Sequence, residues 1–177
     1  DLVAGLLDGR ASPDLVAGTF GLNEDAGALV VAFAVRDGDA ASHEPTTREL
    51  GIAELGEVVS VHAAAHRRAA LCAEVGARVY AVLPEVHGTD AALRTMCAEV
   101  VAAARRRSGI RVQAGIGSPG AQLAGVPGSR REAVGNLGIH RSRGDTADQQ
   151  RAEHSPEHRP LPVRFLSVKL HPPRPEG

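Results

Sequence analysis

Residues 110–133 read IRVQAGIGSPGAQLAGVPGSRREA: an apolar strand-like run, a turn dense in glycine and proline, and the opening of a helix. Gly115, Gly117 and Gly120 spell G-x-G-x-x-G behind that run, the spacing of turns that carry a phosphate at a helix N-terminus. Whether these glycines cradle a ligand or close a sheet decides the fold. A dinucleotide site needs its glycine turn after the first strand of a βαβ unit, with an acid about 20 residues further on for the ribose. Here the turn follows the last strand-like segment, Pro119 and Pro127 remove amide donors, and Asp145 lies in a polar tail with no strand to hold it. The expected role is a tight strand-to-helix connection. The alternative is a nucleotide-binding protein or enzyme using the turn from Gly115 to Gly120.

Working back from that turn, residues 90–109 carry the strongest periodicity. Leu93, Met96, Cys97, Val100 and Ala104 recur at helical spacing, Asp90 suits the N-cap and Gly109 the C-terminal cap. Arg105, Arg106 and Arg107 fall in the last turn, where cations favour the negative helix end, so the basic triplet needs no DNA to explain it. Residues 70–75 and 78–84 are short apolar runs around Gly76 and Ala77, the pattern of a hairpin. Upstream, Pro45, Thr46 and Glu49 fit a capping box opening a helix that runs to Arg68, with Val58, Val61 and Ala65 on its apolar face. ALVVAFAV (residues 28–35) is an unbroken apolar run, as expected of a central strand covered on both faces. Two short helices precede it, one ending near Gly9, the other capped by Ser12, started by Pro13 and ending at Gly21. A final helix spans 129–137.

After two preparatory helices the order is β-α-β-β-α-β and a closing helix. That is an α+β, ferredoxin-like pattern, expected as an antiparallel sheet with helices on one face. The domain occupies residues 1–138. From 139 to 177 the composition turns to Pro, Arg, His and acids, a low-complexity tail expected to be disordered, with residues 162–170 the one stretch that could add an edge strand.

Composition narrows the function. With 177 residues, 43% hydrophobic, the chain holds one core; a net charge of −1 gives no general pull toward polyanions, and 2% aromatics leave little on which bases could stack. Cys72 and Cys97 stand apart in apolar segments, which fits small core residues in a reducing, cytoplasmic setting. No apolar run is long enough for a membrane span. The chain does not open on Met, so it reads as a piece of a longer protein. His62 and His66 lie four apart on a helix and could share a metal with Glu57 or a tail histidine; without a Glu between them the zinc-protease motif is absent, and a solvated helix face is preferred. No catalytic, cofactor-binding or metal-binding residue is assigned, and no cofactor is expected.

The order of elements and several strings resemble the GGDEF-like domain of bacterial PucR/CdaR-type transcriptional regulators. DLVAGLLDGR and LVAGTFGL look like its opening helices, ALVVAFAV its first strand, ARVYAVLP its second hairpin arm, and IRVQAGIG with SRREA its last strand and helix. Related diguanylate cyclases carry Gly-Gly-Asp-Glu-Phe at the hairpin turn, where acids hold metal for phosphoryl transfer. The corresponding residues here are Val75, Gly76, Ala77, Arg78 and Val79. Ala77 has no oxygen for a cation and Arg78 would repel one, so the resemblance implies a degenerate, non-catalytic module and no enzyme. It further implies signal relay or dimerisation between an N-terminal sensor and a C-terminal helix-turn-helix. Ala133, Leu137, Gly138, Ile139 and Ser142 loosely imitate that DNA-binding core, but Arg143, Gly144 and Asp145 would break its recognition helix. DNA binding is thus expected only through a helix-turn-helix that is absent or broken in this chain. The residues identify no effector.

Overall fold

The computed structural model describes residues 1–36, 45–85 and 90–137, without the side chains of residues 45–48. Its elements are α1 (Leu2–Leu7), α2 (Pro13–Phe20), β1 (Ala28–Val35), α3 (Pro45–His66), β2 (Leu71–Val75), β3 (Arg78–Pro84), α4 (Ala91–Ser108) and β4 (Val112–Ile116). A 3-10 turn (Leu123–Gly125) and α5 (residues 126–137) complete the order. The strands form one sheet in the order β2-β3-β1-β4 with every neighbouring pair antiparallel, which is the ferredoxin-like arrangement. Helix α3 opens at Pro45, but the side chains its capping box needs, the tail at 139–177, the edge strand at 162–170 and the helix-turn-helix resemblance beyond Leu137 lie outside what is described.

Helix α4 forms as its sequence dictates. The Asp90 carboxylate accepts from the Leu93 amide at 2.7 Å, the five periodic apolar residues are all buried, and Gly109 closes the helix at φ +69°. Helix α3 lies against it and ends at His66, two residues before the expected Arg68. Its buried face is Leu55, Val58, Val59 and Ala63, whereas Val61 and Ala65 point outward. The helix is rich in alanine and valine around most of its circumference, so sequence periodicity does not single out one stripe.

Both sides of the sheet are covered, which corrects the expectation of helices on one face. Leu29, Val31 and Phe33 of β1 pack with Val79, Ala81 and Leu83 of β3 beneath α3 and α4. On the opposite side Ala28, Val30, Ala32, Tyr80 and Val82 pack under α1, α2 and α5 through Leu6, Leu7, Val16, Ala133 and Leu137. This second layer is why ALVVAFAV has no polar alternation: six consecutive β1 residues are buried. Each fully buried Leu, Val or Phe contributes about 1.5–3 kcal/mol, so two populated faces give a small domain most of its stability. Strand β4 is shorter than the expected 110–117, and α5 begins three residues earlier than 129. Pro127 and Gly128 resemble turn punctuation, yet proline suits the first turn of a helix, where its missing N–H costs nothing.

Candidate functional site

The glycine turn is built around α5. A Cβ on Gly115 would collide with the Ala133 carbonyl oxygen and stand 2.9 Å from the Leu137 amide. One on Gly117 would collide with the Ser129 carbonyl oxygen and stand 2.5 Å from Ser129 Oγ. Gly120 and Gly125 meet each other in the same manner, with a Cβ on Gly120 only 3.0 Å from Gly125 Cα. Glycine is required here because a helix backbone crosses a strand backbone with no room for a side chain.

The amides that could have bound a phosphate are already engaged. Gly117 donates to the Val30 carbonyl at 2.9 Å and Gly120 to the Ala28 carbonyl at 2.7 Å, continuing the sheet past the end of β4. Ser118 donates to a Glu132 carboxylate oxygen at 2.8 Å, and Pro119 has no amide to offer. Glu132 thus occupies the place an anion would take. Its hydrogen bonds from Ser118 hold its carboxyl below the usual carboxylate range.

Each residue of SRREA can now be read from its contacts. Ser129, 4% exposed, accepts at Oγ from the Val30 amide at 2.9 Å, satisfying a ladder donor where β4 bends away. Arg130 lays its guanidinium 5.0 Å from the centroid of the buried Tyr80 ring, pairs with Asp8, and donates to the Leu7 carbonyl at 3.4 Å. A cation there meets a π face, a carboxylate and the negative end of α1 together. The hydrogen bond from Arg10, helped by the charge of Arg130, holds the Asp8 carboxyl below its ordinary value. Arg131 is exposed and its Nε donates back to the Pro127 carbonyl at 3.4 Å. Glu132 ties the turn, and Ala133, fully buried, faces Gly115. Asn136 adds a bond from its side-chain amide to the Ile116 carbonyl at 2.6 Å. Sequence reasoning singled out the string but not these roles, because Val30 lies 99 residues from Ser129.

At the other turn, Val75 pairs with Arg78 and closes a two-residue hairpin with Gly76 at φ +61°. A Cβ on Gly76 would meet nothing within 4 Å, so this glycine serves the backbone angle and no close contact. Ala77 and Arg78, which close the turn, are exposed. Among the described residues no group of three His, Cys, Asp or Glu is placed to hold a metal; His62 Nδ1 faces Glu99 at 3.5 Å, and the tail histidines considered with His62 and His66 lie outside the described residues. Cys97 is buried and its thiol is pushed up to about 11 by desolvation; Cys72, partly buried, is also raised by desolvation. Arg107 pairs with Glu57 at 2.7 Å, consistent with a structural account of the basic triplet. Ala133 and Leu137, the first two positions of the helix-turn-helix imitation, are buried against the sheet.

No helix among the described residues is long and apolar enough to cross a membrane. No curated protein and no solved structure matches the chain. The GGDEF-like domain model matches residues 9–137, most of the chain and nearly all of the two-faced sheet with its SRREA helix, and the protein therefore belongs to the GGDEF-like domain family.

Proposed function

We propose that this chain is a non-catalytic signal-relay or dimerisation domain of a PucR/CdaR-like transcriptional regulator. The observation that carries the reading is the hairpin turn, where Ala77 and Arg78 stand in the positions from which acids would hold metal in a cyclase. An alanine offers no ligand oxygen and a guanidinium opposes a divalent cation, so phosphoryl transfer has no metal anchor at this turn. The glycine turn offers no substitute, because its amides are used by β1 and by Glu132. Relay has a physical route. Helix α1, at the start of the described chain, and α5, at its end, lie on one side of the sheet and are joined by Arg130 with Asp8. A pull on α1 is thereby felt at the helix that leads toward any following domain. DNA contact by α5 itself is disfavoured, since Ala133 and Leu137 are spent on the core.

Incubating the purified chain with GTP and magnesium, with a functional cyclase as control, tests the absence of catalysis. No cyclic dinucleotide should form; measurable turnover that depends on this chain would end the proposal.

A further inference from the structure

Two of the exposed large apolar side chains, Leu50 at 63% and Val61 at 69%, lie on the outer side of α3. Val61 stands beside a groove of about 310 Å³ between α3 and α4, floored by Val58 and Ala103 and rimmed by Arg106. The seam continues past His62 into a second groove of about 430 Å³ beside Ala65, Ala92 and Thr95. An exposed valine next to a hollow floored by valine and alanine and rimmed by arginine and histidine is both knob and hole on one surface.

The charges on this seam repeat the same symmetry. Glu99 and Arg106 are exposed on the groove side of α4, seven residues apart and so on one face, with Ala103 between them. Helices α3 and α4 are antiparallel, since Arg107 reaches Glu57 while His62 faces Glu99. The midpoint between Glu99 and Arg106 therefore falls beside Ser60 and Val61. A two-fold axis across the seam at that level sets α4 antiparallel to α4 of a second molecule. It places Glu99 of each copy opposite Arg106 of the other and brings the two Val61 side chains together at the centre. Opposite charges then flank an apolar centre, the arrangement of an isologous interface. We propose that the outer face of α3 and α4 docks a second copy of this chain, with Val61 at the centre and reciprocal Glu99–Arg106 pairs on either side. This surface rests on the dimerisation reading above and specifies where it occurs.

Sedimentation equilibrium of the full chain over a concentration series tests it. The unmodified chain should dimerise. Val61→Glu, which brings two like charges together at the axis, should weaken association at least about tenfold. Glu99→Arg and Arg106→Glu should each weaken it, and their combination should restore it to within about threefold, because the swapped charges pair again across the interface. All three positions face solvent in the single chain, and far-ultraviolet circular dichroism and melting curves should match the unmodified chain. A dimer indifferent to Val61→Glu, or a double variant no better than the worse single one, overturns this surface while leaving the dimerisation reading in place. A chain that is monomeric at every concentration overturns both and leaves the seam to another occupant.

Discussion

The two glycine turns of this domain look alike in sequence and are opposites in structure. The turn from Gly115 to Gly120 is crowded on its inner side by α5, and its amides are bonded to β1 and Glu132. The Gly76-Ala77 turn is open on every side and is fixed by one positive φ. A glycine can thus mark a place where something must come close, or merely a place where the backbone must turn left. In the first case the near neighbour here is the protein's own helix. That helix brings a carboxylate to the spot where a nucleotide-binding turn would receive a phosphate.

The contrast can be broken by substitution. Gly115→Ala forces strand and helix apart and should cost about 3 kcal/mol in denaturant unfolding, with Gly117→Ala comparable. A cost below about 1 kcal/mol at both positions would mean that α5 does not sit so close. Ser129→Ala strands the buried Val30 amide, for an expected loss of about 2 kcal/mol by the same measurement. Gly76→Ala meets no atoms and pays only for the left-handed backbone, about 1 kcal/mol. If it proved costlier than Gly115→Ala, the distinction between the turns would be wrong.

Acid sharpens the same picture with a smaller effect. The Glu132 carboxyl is held below its ordinary range by Ser118, so its contribution is fully present above that range and is lost as the pH falls through the folded value. Asp8, held down by Arg10 and Arg130, acts in the same direction. Thermal melts should therefore show Glu132→Gln losing less stability than the unmodified chain between pH 7 and pH 3.5. An identical acid dependence would remove Glu132 from the turn.

Much of this was readable from residues alone, and the reason differs by region. Helix α4 was legible because its apolar stripe, Asp90 cap and Gly109 cap all specify the same boundaries. Strand β1 and the hairpin were legible because their apolar runs are short and bounded by glycine. The buried face of α3 was not, since Val61 and Val59 are equally apolar and only the position of α4 decides which is covered. The layer made by α1, α2 and α5 was missed because no periodicity in those short segments says which side of a sheet they cover. In the candidate site the glycines and SRREA stood out at once, but Ser129 with Val30 and Arg130 with Tyr80 are long-range partners that no local pattern encodes.

The most direct test of the claim that this turn serves the fold is a thermal-shift titration of the chain. GTP, ATP and cyclic dinucleotides would be used with and without magnesium. A ligand present at a hundredfold its Kd would stabilise the folded state by about 2.7 kcal/mol, a shift of several degrees. An unchanged Tm for every nucleotide is the result expected of a turn whose amides are already bonded to Val30, Ala28 and Glu132. A concentration-dependent rise in Tm that disappears in Gly117→Ala would contradict it.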